Sequence, residues 1–434
     1  LAHFTEEQVQ QFVQHWYGAL HEAKQFTQTE AQNRIDSMLA AIGTLERDLV
    51  ANPLLLTTMA VVHYNDTKLP HERVKLYKRA AEVLLKRWQM HRAGQAGLLE
   101  SLGISDSVLY PALYELAYTA HDSAKDKAAA DLPHEAAHKV LRRHFAGLPE
   151  PLHKATAFLE YIDRTAGLLH GRGSVENPVY AFPHRTFQEY FAGVYLTKAR
   201  GRFEDALASK LPEGDYWQVA ARLGLENLLH NEHTRERACD AAYALCVENP
   251  ASEVEWRGVL WSGLFAVEIG KEQIKQDERG GERYLTRLTN NLIKLLAGNK
   301  LPHRERAEAG FVLGKLGDTR PGVCSFPFDW VTLPGGRFMM GDENDGPAHE
   351  VELSPFKISR YPITNAQFAA FMQAGGYEEK KWWSNEGWKA RLKEKWEQPD
   401  SWNDESFNLP NQPIVGVSWF EAEAFCNWLS AEGM

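Results

Sequence analysis

Amphipathic helical segments follow one another from the first residues to about position 320 and stop at one Gly- and Pro-rich stretch, GDTRPGVCSFPFDW (317–330). Short helices with one apolar face must bury that face on neighbours, so the larger part of the chain is predicted to be mainly α. The stretch LPHERVKLYKRAAEVLLKRWQ illustrates the pattern: Val74, Tyr77, Ala81, Leu84, Leu85 and Trp88 recur at three-and-four spacing. Pro70 suits a first-turn position there, and Lys75, Lys78, Arg79, Lys86 and Arg87 read as a solvated basic face. Beyond the break the texture changes: residues 330–434 hold eight of the thirteen tryptophans and 16 acidic against 9 basic residues, a net of −7. That is a separate domain.

At 434 residues the chain exceeds a single core, since domains run to roughly 150 residues. A net charge of −10 provides no overall basic surface, so nucleic acid is not indicated as a partner. Cys239, Cys246, Cys324 and Cys426 are too few and too scattered for a disulfide framework, which fits a reducing cytoplasm. Cys239 and Cys246 stand at helical spacing and read as core; Cys324 and Cys426 have no adjacent base to activate a thiol. No run reaches the roughly 18 to 20 apolar residues of a membrane span. A start at Leu1 and a stop at LSAEGM, within helix-like sequence, read as a fragment of a longer protein.

Between Gly167 and Pro183 turn residues separate two short apolar runs, the pattern of a small β-hairpin, with helix on both sides. Helices, one hairpin and a returning helix are the order of a winged-helix unit. Segments from about 203 to 317 read as a stacked helical array with no clean repeat period. The last domain is predicted to carry strands around a Gly335-Gly336 turn and a helix capped by Thr364 or Asn365.

Two motifs are weighed against chemistry. HEAAH (134–138) has the H-E-x-x-H spacing of zinc proteases. Pro133 places its first histidine at an exposed helix start with polar flanks, so chance similarity is preferred and a zinc metallopeptidase is kept as a lesser alternative. Asp342, Glu343 and Asp345 lie in a turn but lack a complete calcium-ligand spacing and read as a solvated loop.

The blocks WVTLPGGRFMMGDENDGPAHEV, KISRYPITNAQFAAFMQAGGY, WWSNEGW and NQPIVGVSWFEAEAFCNWLS occur in that order. They resemble the N-terminal part of the formylglycine-generating enzyme, or sulfatase-modifying factor, domain. The resemblance implies an incomplete α+β domain of C-type-lectin-like fold over 321–434. In that family the copper-binding cysteine pair lies late in the domain, beyond the matched blocks, so no catalytic residue is carried over. A ligand-recognition role is therefore the expectation.

LVANPLLLTTMAVVHY, LPHERVKLYKRAAEVLLKRW and YAFPHRTFQEYFAGVYL resemble the helical and winged-helix parts of NACHT-type (STAND) signal-transduction NTPases, and ERAEAGFVLGKLGDTRPG resembles a helical linker found in such proteins. The resemblance implies a NACHT-associated helical domain at 1–69, a winged-helix domain at 70–202, and a helical array with linker at 203–320. Pro53 then corresponds to a proline lying against adenine, and His184 to a histidine reaching the β-phosphate of ADP. An imidazole N–H can donate to a phosphate oxygen; a packing role is the alternative for His184, and a plain helix start for Pro53. Arg185 is expected to be solvated, with assistance to the phosphate as the lesser alternative.

Together these imply the regulatory and sensor portion of a NACHT NTPase: ADP or ATP with magnesium in the full-length parent, and no tight nucleotide binding by this chain alone. A protein or other trigger ligand at the C-terminal domain, a homo-oligomer on activation, and defence signalling follow from the same resemblance. The competing expectation is a formylglycine-generating type of oxidoreductase with a helical regulatory arm.

Overall fold

A computed structural model describes residues 3–45, 47–87, 102–124, 131–163, 168–173, 178–182, 185–198, 201–342 and 346–433. The chain divides into two compact units, 1–245 and 246–434. Each is mainly helical outside the C-terminal domain, in keeping with the apolar periodicity. Among the described residues no helix is long and apolar enough to cross a membrane.

The first unit opens with α1 (Glu6–Glu22), α2 (Gln28–Ile42), the single turn α3 (Arg47–Val50) and α4 (Pro53–Asp66). Thr5 and Thr27 each close a capping box, with Gln8 and Glu30 three residues on, which fixes where α1 and α2 begin. Val9, Val13 and Tyr17 form the buried stripe of α1. Inside this bundle His63 on α4 is fully buried, with Nδ1 2.6 Å from the Tyr17 hydroxyl and Nε2 3.1 Å from Ser37 Oγ.

α5 (Arg73–Glu82) continues into a π-helical turn, Val83–Arg87. Glu72 is its N-cap residue, so Pro70 stands ahead of the helix rather than in its first turn. Val74, Tyr77, Ala81 and Leu85 are buried as the periodicity requires. The opposite face is less open than a solvated stripe: Arg79 pairs with Asp66 and Glu82, and Lys75 with Glu72. Trp88 lies outside the described residues.

Then come α6 (Asp106–Ser123), β1 (Leu132–Pro133), α7 (His134–His144), α8 (Pro151–Tyr161), β2 (His170–Gly173), β3 (Pro178–Ala181) and α9 (Arg185–Lys198). The strands form an antiparallel sheet in the order β1-β3-β2, with His170 opposite Ala181 and Leu132 opposite Tyr180. A helix, a short strand, two helices and a two-stranded wing make a winged-helix unit, with the hairpin where the turn residues placed it. α10 (Phe203–Ala208), α11 (Gln218–Glu226), a π-helical turn at Asn227–Asn231 and α12 (Arg235–Leu245) complete this unit.

The second unit contains α13 (Glu253–Ile269), α14 (Lys271–Lys275), α15 (Gly281–Ala297) and α16 (His303–Leu316). α13 is apolar on nearly every side and buried along most of its length, which makes it the central helix of this group. Its Arg257, 4% exposed, donates from Nε to Glu305 on α16 at 2.8 Å. The sequence then changes to β4 (Trp330–Leu333), β5 (Gly336–Met340), β6 (His349–Leu353), β7 (Phe356–Ser359), α17 (Asn365–Gln373), α18 (Asn385–Glu394) and α19 (Trp419–Ala431). β4 pairs with β7 and β5 with β6, as two separate antiparallel pairs. An aromatic core of Phe328, Phe368, Phe371, Tyr377, Trp383, Phe425 and Trp428 holds α17 and α19 together. Thr364 is the cap of α17: its hydroxyl accepts from Gln367 N and donates to the Val323 carbonyl at 2.6 Å.

Candidate functional site

α9 is the best buried helix of the first unit. Phe187 through Val194 are all buried, so its polar members Gln188 and Glu189 are enclosed with the aromatic ones. Its close neighbours are α6 and α11. At the crossing with α11, a Cβ on Gly193 would stand 2.1 Å from Ala220 O, so only glycine allows this approach.

A buried carboxylate must find partners or give up its charge. Glu189, 5% exposed, accepts a 2.8 Å hydrogen bond from Arg185 Nε. Burial raises its pKa above the ordinary carboxylate value, opposed first by Arg185 and then by Arg73. Arg73, at the start of α5, donates from Nε to both oxygens of Glu226 at 3.0 and 2.8 Å, and from Nη2 to Oε1. Glu226 ends α11 and is 4% exposed, so two arginines and two glutamates from three helices meet in a half-buried network.

The first turn of α9 is backed by a second polar group. The Arg185 guanidinium lies 5.3 Å from the centre of the Tyr216 ring. Tyr216 stacks on fully buried His121 at 4.3 Å and donates from its hydroxyl to the His121 carbonyl at 3.0 Å. His121 Nε2 is 3.3 Å from the Tyr216 carbonyl, which can only accept, so the ring proton resides on Nε2. Nδ1 is then left to accept from Gln188 at 3.4 Å. Burial pulls the His121 pKa down to about 4, and the imidazole is neutral. Trp217 completes the wall, 4.4 Å from His121 and 4.5 Å from the Lys210 ammonium.

The residues singled out in the sequence fall differently. His184 lies outside the described residues, immediately ahead of Arg185. Pro53 is the half-buried first residue of α4, and Asn52 caps that helix through Oδ1, which accepts from Leu55 N at 3.3 Å. Two residues earlier Ala51 lines a cavity of about 320 Å³ with Phe4, Val9, Leu39, Ile42 and Val50. Arg185 is not simply solvated: Glu189 and Tyr216 hold it, while its side chain stays 61% exposed. Glu189, His121 and the Arg73–Glu226 pair were not singled out. The local signal was the pair Gln188-Glu189 inside the apolar run FQEYFAGVYL; the partners are far away in sequence.

In HEAAH, His134 and His138 are 4.3 Å apart between ring centres, and His134 Nδ1 is 3.3 Å from the Tyr180 hydroxyl. Glu135 and His138 line an open groove with Lys139, Arg142 and Arg143. Among the described residues no group of three or more His, Cys, Asp or Glu is placed to hold a metal ion. Cys239 and Cys246 are buried as expected, and burial raises the Cys324 thiol to about 11. Glu343 and Asp345 lie outside the described residues.

Comparison with known proteins places two domains on this framework. Residues 73–196 match the winged helix-turn-helix domain C-terminal to NACHT, and residues 326–432 match the sulfatase-modifying factor enzyme 1-like domain. A hercynine oxygenase of Mycolicibacterium smegmatis is 35% identical over 130 residues, 26% of this chain and 30% of the relative. A formylglycine-generating enzyme of Thermomonospora curvata is 34% identical over 129 residues, 23% of this chain and 43% of the relative. An inactive C-alpha-formylglycine-generating enzyme 2 of Mus musculus is 32% identical over 127 residues, 23% of this chain and 41% of the relative. The chain thus spans less than half the length of each of these relatives. What the sequence blocks and the fold share with known proteins is therefore a NACHT-associated winged-helix domain and, further along the same chain, a domain of the sulfatase-modifying factor family.

Proposed function

We propose that the chain is the regulatory and sensor portion of a NACHT-type signalling NTPase. The observation that carries this reading is the order of the domains: a winged helix of the kind that follows NACHT, then helices, then a domain of the sulfatase-modifying factor family. In this reading ADP holds a closed resting state. Pro53 faces the adenine and His184 reaches the β-phosphate, while the phosphate loop and the magnesium ligands belong to the remainder of the NTPase. Pro53 is half-buried rather than enclosed, which leaves it accessible to a base.

The C-terminal domain recognises the trigger, a protein or another ligand. Trigger binding shifts the equilibrium only if the open form is bound more tightly than the closed one. Opening then permits exchange for ATP, assembly into a homo-oligomer, and defence signalling in the cytoplasm. The test is ADP retention by the complete NTPase: His184→Ala should lose the nucleotide, and unchanged retention with an unchanged resting state would remove His184 from the phosphate.

A second reading is favoured by the hercynine oxygenase and formylglycine-generating enzyme among the relatives. The domain would then perform oxidation, with the helices as a regulatory arm. Similarity alone does not choose, because an inactive formylglycine-generating enzyme is similar to the same region. Oxygen-dependent oxidation of a cysteine-containing peptide by the complete protein would support this second reading.

A further inference from the structure

We propose that the Gly- and Pro-rich stretch 317–325 is a rigid coupling and not a hinge: Asn411 fastens α16 to the C-terminal domain, so that helix and domain move as one body. This goes beyond the sensor reading and holds whatever the domain binds.

A break of this composition ordinarily marks a joint between domains, with its backbone groups left to water. Here the C-terminal domain takes them up. Gln367, 1% exposed, donates from Nε2 to the carbonyls of Gly322 at 3.0 Å and Ser325 at 3.2 Å. Thr364 takes the Val323 carbonyl between them, and Phe328 then enters the aromatic core. The helical end is held as firmly. Val312 and Leu313 of α16 are fully buried, and a Cβ on Gly263 of α13 would stand 2.7 Å from Val312 Cγ1. Lys271 of α14 donates to the Leu316 carbonyl at 2.5 Å.

Asn411 joins the two ends. Its own stretch is stitched to the start of α17, where Ala366 N donates to Pro410 O and Asn365 N to Gln412 O, both at 3.0 Å. From there Nδ2 donates to the Gly310 carbonyl of α16 at 2.9 Å and to the Asp318 carboxylate at 3.1 Å. The Asp318 side chain is fully buried and accepts from Arg320 Nη2 at 2.6 Å. A carbonyl and a carboxylate only accept, so the orientation of the amide is set. Its oxygen lies against Gly314, where a Cβ would come within 2.3 Å. Gly310 and Gly314 are four apart and share one helix face, so two residues without side chains form the seat. A partner bound to the C-terminal domain therefore acts on the helices through α16.

The experiment is native-state hydrogen exchange on the complete protein in rising denaturant, read on peptides from α16 and α17 by mass spectrometry. In the wild type both helices should lose protection at the same denaturant concentration; separate concentrations would overturn the inference. In Asn411→Ala, exchange in α16 should quicken by about tenfold or more relative to α17, the usual consequence of two lost hydrogen bonds. An unchanged ratio would also overturn it. Gly314→Ala keeps Asn411 and raises the intrinsic helix propensity of α16, so a purely local effect would slow exchange there. With the coupling it should quicken, because the methyl group pushes the amide off both acceptors. The wild-type comparison needs no variant and decides even where a variant fails to fold.

Discussion

Gly193 and Gly224 cross with their backbones in contact: a Cβ on Gly224 would stand 2.6 Å from Gly193 O, and one on Gly193 2.8 Å from Gly224 N. This crossing seats α11 on α9, and with it Glu226 beside the start of α5. Neither clash involves a flexible side chain, so a methyl group can be relieved only by separating the helices. Gly193→Ala and Gly224→Ala should each destabilise the first unit by about 2 kcal/mol or more. Denaturant unfolding followed by helix content checks this.

The Arg73–Glu226 pair should show the asymmetry of buried charges. Removing Arg73 alone, as Arg73→Met, leaves the 4% exposed Glu226 without its main counter-charge and should cost about 3–5 kcal/mol. The double variant Arg73→Met with Glu226→Met should recover much of that loss, because neither member of this pair is then left as an unpaired buried charge. A double-mutant cycle in denaturant measures the coupling; additive single effects would deny it.

Stability of the first unit should depend on pH through two histidines. Burial lowers His63 and His121 from 6.5 to about 4 in the folded protein. Below pH 6.5 the unfolded chain takes up protons that the folded protein refuses, so stability falls as the pH drops toward about 4 and then levels off. Each histidine contributes on the order of 1–3 kcal/mol to that loss. Glu189 acts with the opposite sign: its raised carboxyl pKa favours the folded state as the pH falls and offsets part of the loss. Unfolding midpoints between pH 7 and 4 should therefore decline, and the combined variant His63→Gln with His121→Gln should flatten the slope.

HEAAH should hold no stoichiometric zinc, because His134 already meets Tyr180 and no third ligand stands near it among the described residues. Elemental analysis of pure protein after exposure to zinc tests this; one zinc per chain, lost in His134→Ala, would restore the peptidase alternative.

Much of the local structure was legible because short-range chemistry decides it. The cap at Thr364 and the hairpin before His184 each depend on a few neighbouring residues; at Gly335-Gly336 both glycines have positive φ, but the strands on either side pair elsewhere. The start of α5 was misplaced by a rule that is also local: Pro70 suits a first turn, but Glu72 is still extended and the helix begins at Arg73. The site was less legible, for a different reason. Arg185 reads as an exposed arginine until Tyr216 is brought beneath it, and Arg73 as one more basic residue until Glu226 arrives from 153 positions away. Periodicity tells which face is buried; it does not tell which charge waits on the other side.

The nucleotide content of the complete resting protein, purified without added nucleotide and released by denaturation, tests the ADP-closed state most directly. Close to one ADP per chain is expected, lost in His184→Ala. An absence of nucleotide above background, together with oxygen-dependent oxidation of a thiol substrate, would contradict it and favour the oxidoreductase.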